Sequence, residues 1–294
     1  MFDLRYHVAS LAAVFLALVI GILVGVGLSD RGVVAKARRG LLEQRIAKLE
    51  DDLRGARTRA EELAAQQRAT QAFVDQTYPA LMANRLRGKR IALVFLGPAN
   101  ARIRSELEQA LRDAHARGWV RVRALQLPLD VPRIDQALAA KPALRRYVGD
   151  ARLPALGRAL AEELAAGGEA PLWSTLAEHI VEERSGSDTR AADGVIVAFT
   201  AASQYDGTAR FLKGFYKGLI AAPVPVVGVA AADAEGSTIA FKRNGISSVD
   251  DVNDPTGRFA VALLLEGAKA GHYGVTATAG DGVLPPLEST SIGG

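Results

Sequence analysis

IALVFLG, Ile91–Gly97, decides the fold. It is a short, unbroken apolar run between the basic LRGKR (Leu86–Arg90) and a Gly-Pro turn, and such a run reads as a buried strand. Four further stretches behave the same way: Val120–Leu125, GVIVAFT (Gly194–Thr200), Val224–Ala230 and the shorter Ile246–Val249. Helical patterns separate them, predicted over Ala101–Arg117, Arg133–Tyr147, Leu153–Ala166, Leu172–Glu183, Asp206–Ile220 and Pro255–Ala270. Apolar strands alternating with helices predict an α/β domain. The expectation is a Rossmann-like, mostly parallel sheet over residues 89–275 with helices on both faces. A linker, 79–88, precedes it. Residues 276–294, with Pro285-Pro286, are expected to form a flexible C-terminal tail.

The N-terminal third has a different character. Val8–Leu28 is uncharged, with Ser10 its one polar residue, and as a helix it spans about 30 Å, the thickness of a hydrocarbon core. A signal-peptide core is shorter, and no Ala-x-Ala site follows this segment. Residues 1–32 are therefore read as a transmembrane anchor whose main partner is the lipid bilayer. Orientation stays open on charge. Arg5 precedes the helix while Arg31, Lys36, Arg38 and Arg39 follow it, a count that places the following chain in the cytoplasm.

Residues 33–78 read as a stalk. Leu42, Ile46, Leu49, Leu53, Ala56, Ala60 and Leu63 recur with alternating spacings of four and three, which is a heptad seam, and charges of both signs surround them. A coiled coil joining copies of the chain accounts for that stripe, and so does a single helix lying against its own domain. Tyr78-Pro79 is expected to close the helix, because proline disfavours helical geometry in the residue before it.

Composition narrows the chemistry. The 294 residues contain no cysteine, which excludes disulfides, thiolate metal sites and cysteine nucleophiles. A net charge of +4 without a basic stripe interleaved with aromatics argues against nucleic acid as a partner. His7, His115, His179 and His272 show no metal-ligand spacing, and Met1 and Met82 are the only thioethers, so a dedicated Cu(I) site has little support. GPAN (Gly97–Asn100) lacks the further glycines of a dinucleotide fingerprint and reads as an ordinary strand-to-helix turn. Ser203 lacks the frame of a nucleophile elbow. The expectation is a protein that is not an enzyme, with any cofactor unknown.

One segment concentrates polar groups: ISSVDDVNDPTGR, Ile246–Arg258. Asp250, Asp251, Asn253 and Asp254 supply enough oxygen for Ca²⁺ or Mg²⁺ but do not follow an EF-hand. The alternative is structural, with Asp254 capping a helix whose first position is Pro255.

Phe2–Gly25 at the anchor, the stalk, and SSVDDVNDPTGRFAVALLLEGAKAGHYG (Ser247–Gly274) together resemble the actinobacterial copper transporter (MctB) family along essentially the whole chain. The matching motif positions include Asp250, Asp251, Asp254, Arg258, His272 and Tyr273. The resemblance implies an envelope protein with an extracytoplasmic domain, linked to copper efflux, to channel assembly and to an envelope partner. It equally implies a scaffold in cell-envelope integrity and cell separation. A small-ligand-binding domain is the third expectation. None of these makes the motif residues copper ligands, and no barrel is expected, because a barrel needs many alternating segments of about 9 to 11 residues.

Overall fold

A computed structural model describes residues 4–27, 31–187, 189–201, 204–230 and 235–287. The chain divides into two compact units, Met1–Thr70 and Gln71–Gly294. Ser203 and Leu28 lie outside the described residues.

In the first unit, α1 (Leu4–Gly27) contains one 22-residue stretch, Tyr6–Gly27, long and apolar enough to cross a membrane. None of that stretch is buried by the rest of the chain. Leu11, Leu16, Val24 and Val14, spread around the helix, are all exposed, a surface that water disfavours and hydrocarbon accepts. α2 (Arg31–Met82) begins in this unit. Its seam residues Leu42, Ile46, Leu49, Leu53 and Leu63 are each more than half exposed.

α2 does not stop at Tyr78. It continues through Pro79 to Met82, with the Ala83 N–H bonded to the Pro79 carbonyl at 3.0 Å. Proline forfeits one helical donor, but Met82 and Leu86 are fully buried, and that burial overrides the local preference. Nor do residues 79–88 run free. The Leu86 N–H bonds the Ala114 carbonyl at 3.0 Å and the Gly88 N–H bonds the His115 carbonyl.

The second unit is built on a mixed, mostly parallel seven-stranded sheet in the order β3–β2–β1–β4–β5–β6–β7. The strands are β1 Ile91–Leu96, β2 Trp119–Leu125, β3 Val181–Gly186, β4 Gly194–Phe199, β5 Val226–Val229, β6 Ser247–Val249 and β7 His272–Tyr273. Only the β2–β3 pair is antiparallel. Ile91, Leu93 and Phe95 of β1 face one layer, formed by α3 (Ala101–Asp113), α9 (Pro255–Glu266) and the end of α2. Ala92, Val94 and Leu96 face the other, formed by α4 (Val131–Ala139), α5 (Leu153–Ala166), α6 (Pro171–Ile180) and α7 (Asp206–Ala221), with Phe241 of α8 (Glu235–Arg243). Apolar residues on both pleats are what two covered faces require.

Several local expectations change. The helix expected over Arg133–Tyr147 is α4 plus a separate 3₁₀ segment, Pro142–Tyr147, because Pro142 cannot continue an α-helix. The helix expected over Leu172–Glu183 ends at Ile180, and Val181–Gly186 becomes the antiparallel edge strand β3. VEERSG is rich in helix-forming charges, yet the free edge of β2 supplies its backbone with partners. α8 and the two-residue β7 have no counterpart among the expected elements. α9 stops at Glu266, where Gly267 takes the left-handed cap position.

Candidate functional site

β6 and β7 lie at one margin of the sheet, within the second unit, and carry the late motif. Asp250, 1% exposed, follows β6 directly. Its carboxylate accepts from the backbone N–H groups of Val275 (3.0 Å) and Thr276 (3.2 Å) and from the Thr276 hydroxyl. Its own N–H donates to the Tyr273 carbonyl at 3.2 Å. Gly274, at φ +146°, leaves the room this needs: a Cβ there would stand 1.7 Å from an Asp250 oxygen. Asp250 is thus an anionic clasp that holds the chain leaving β7.

The same clasp reaches into the tail. The His272 N–H donates to the Asp281 carboxylate at 2.8 Å, the Asp281 N–H to the His272 carbonyl, and the Gly274 N–H to the Gly282 carbonyl. Leu284 packs on the apolar layer of α3 and α9. Residues 276–287 therefore make specific contacts rather than hanging loose. His272 Nδ1 lies 3.0 Å from Ser248 Oγ, and burial holds the imidazole pKa below its ordinary value against the pull of Asp281. Tyr273 is buried, and its hydroxyl donates to the Lys269 carbonyl at 3.1 Å.

Asp251 and Asp254 form a second group. Asp251 is 6% exposed. Burial, then the hydrogen bond and charge of Asp254, then the charge of Asp250, push its pKa up to about 6. Asp254 does occupy the N-cap position of α9, with Pro255 first in the helix, but its side chain makes no cap bond. The expected side-chain cap is absent: the Asp254 N–H donates to the Asp251 carbonyl at 3.3 Å, and only the Asp254 carbonyl serves the helix, accepting from the Arg258 N–H at 3.0 Å. Gly257 fits the turn because its Cα lies against the Asp251 carbonyl, where a Cβ would come within 1.7 Å.

Arg258 completes the motif from α9. It pairs with Glu106 of α3, donates to the Asn253 carbonyl at 3.3 Å, and stands 5.5 Å above the ring of Tyr78 at the end of α2. The Tyr78 hydroxyl has no hydrogen-bond partner among the described residues, and burial pushes its pKa up to about 12. The motif residues are thus brought together in two arrangements: Asp250, His272 and Tyr273 around β7, and Asp251, Asp254 and Arg258 at the start of α9. Among the described residues no three His, Cys, Asp or Glu side chains converge to hold a metal ion.

Two arginines escaped the sequence reading. Arg121 and Arg123 of β2 are 1% and 0% exposed. Arg121 donates to the Leu164 carbonyl at 2.6 Å and to the Glu163 and Arg190 carbonyls, so a cation sits on the C-terminal end of α5. Arg123 donates to the Val122 and Ser185 carbonyls, both at 2.7 Å. The alternation in WVRVRAL marks a strand but cannot say that its polar pleat is roofed.

The order of the strands reverses between β1 and β4, where open α/β sheets often bind ligands. Here the two loops close on each other. The Thr200 hydroxyl donates to the Pro98 carbonyl at 2.7 Å, and the Thr200 and Ala201 N–H groups both donate to the Leu96 carbonyl. Asn100 caps α3, accepting from the Ile103 N–H at 3.0 Å.

An apolar N-terminal helix and an open, helix-covered sheet define a membrane-associated α/β protein. The chain matches the family described as "Copper transport outer membrane protein, MctB" over residues 1–284, and it belongs to that family. No curated protein matches it. The described sheet has two ends, β3 and β7, and is not closed into a barrel; the segment suited to lipid is α1.

Proposed function

We propose that this chain is a non-enzymatic envelope protein, anchored once in the cytoplasmic membrane, that contributes to copper efflux by assembling with other proteins rather than by forming a pore. The observation that supports it is α1, the one described segment suited to lipid, which presents apolar side chains all round and no polar stripe to line a water-filled path. Asp250, His272, Tyr273 and Arg258 support it further, since each is engaged within the domain. On this reading the stalk and domain lie outside the cytoplasm, and the exposed α2 seam pairs with a second copy as a coiled coil. Copper content and survival of a deletion strain under copper stress test the proposal. Accumulation restored by the full chain is expected, and wild-type copper content in the deletion strain overturns it.

A scaffold in envelope integrity and cell separation is the second reading, favoured by the same exposed seam, which offers a surface for assembly without any metal chemistry. Chained cells or altered sensitivity to wall-active drugs, at normal copper content, would select it. The strand order from β3 to β6 agrees with a Rossmann-like reading of the domain.

A further inference from the structure

A cavity of about 450 Å³ opens between α7 and α8 and reaches the carboxyl end of β4. That volume falls within the usual range for small-molecule sites. Leu212 and Ile239 give it an apolar wall. Lys213 of α7 and Arg243 of α8 line it from facing helices, and among the described residues neither forms an ion pair. None of the described lining residues is acidic. Tyr216, 4% exposed, also lines it, and its hydroxyl has no hydrogen-bond partner among the described residues. Burial pushes the Tyr216 pKa up, so it stays a neutral phenol.

Lys213 and Arg243 are both exposed and hydrated, and an anion entering the cavity meets two positive side chains and no acidic one among the described lining residues. We propose that this cavity binds an organic anion, its carboxylate or phosphate held by Lys213 and Arg243 and its apolar body resting on Leu212 and Ile239. The site is separate from the anchor, the seam and the β7 clasp, so its failure would leave the envelope reading standing, and the reverse.

Equilibrium dialysis of the full chain in lipid nanodiscs tests it, with empty nanodiscs subtracting partition into lipid. The probes are naphthalene-1-carboxylate, 1-naphthyl phosphate and the neutral 1-naphthamide. Saturable binding of one anion per chain, roughly tenfold or more tighter than the amide, is expected. Which anion binds better identifies the head group. Lys213→Gln/Arg243→Gln should weaken that binding by a similar factor, while Lys217→Gln, on an exposed position of α7 outside the cavity, should leave it unchanged. Equal binding of the amide, or equal loss in Lys217→Gln, overturns the proposal. Should the double variant fail to fold by circular dichroism, the comparison of anions with the amide on the native chain decides alone.

Discussion

Replacing Asp250 with Asn keeps the volume of the clasp and removes its charge. The native carboxylate accepts three hydrogen bonds, from the Val275 and Thr276 N–H groups and the Thr276 hydroxyl. Hydrogen bonds to a charged acceptor contribute about 1.5–3 kcal/mol each. Val275 is itself more than half exposed, so its freed N–H regains water, and the sum must be discounted by about half. An amide adds a second difficulty, because its NH₂ end points a donor at donors. The net expectation is a loss of about 2–4 kcal/mol. Urea unfolding of the full chain in detergent, followed by tryptophan fluorescence, measures it. Both tryptophans, Trp119 and Trp173, lie in the second unit, so the signal reports this domain and not the anchor. Thr276→Val alone removes one of the three bonds, and it should couple to Asp250→Asn in a double-mutant cycle. Proteolysis of the Asp250 variant should also begin between residues 276 and 287. A loss under about 0.5 kcal/mol, the range of an ordinary surface change, or strict additivity with Thr276→Val, would refute the clasp.

The raised pKa of Asp251 means the folded state holds its proton more tightly than the unfolded chain, so stability should fall from about pH 4 to about pH 6 and then level. Asp251→Asn should flatten that slope in urea midpoints taken across the range; an unchanged slope would assign it to other groups. Tyr78→Phe should be neutral or slightly stabilising in thermal unfolding, since the lost hydroxyl is buried without a partner, whereas Arg258→Met should cost about 2–3 kcal/mol by stranding Glu106. Equal effects of the two would sink this account of the α2–α9 junction. In the stalk, burying five large apolar side chains at roughly 1.5–3 kcal/mol each drives association, and Ile46→Asp/Leu53→Asp should favour monomers in sedimentation equilibrium. A native chain that stays monomeric at about 100 μM in detergent would remove the coiled coil. For topology, a cysteine at the exposed Ala140, the only one in the chain, should react with a membrane-impermeant reagent in intact cells; reaction only after lysis would reverse the orientation.

Periodicity and composition alone determined the elements whose signal is local. Val8–Leu28 is long and apolar enough to read as a helix suited to lipid, and Ile91–Leu96 and Gly194–Phe199 are short apolar runs that read as strands covered on both faces. The motif around Asp250 was visible as a polar concentration, but the partners of its side chains were not. Asp254 looked like a cap because N-cap propensity is a local preference, yet its side chain makes no cap bond and only its carbonyl serves α9. Pro79 looked like a helix end because proline's restriction is local, while the burial of Met82 and Leu86 that overrides it comes from the distant layer of α3 and α9. β3 looked helical because Glu and Arg favour helices in isolation, and only an unpaired edge on β2 made a strand of it. Arg121 and Arg123 drew no reading from the sequence, because the carbonyl oxygens that enclose them belong to Leu164, Ser185 and Arg190, far along the chain. Hydrophobic pattern is written residue by residue along the chain. Which polar group meets which depends on contacts between segments 24 to 181 positions apart, and only the tertiary structure decides those.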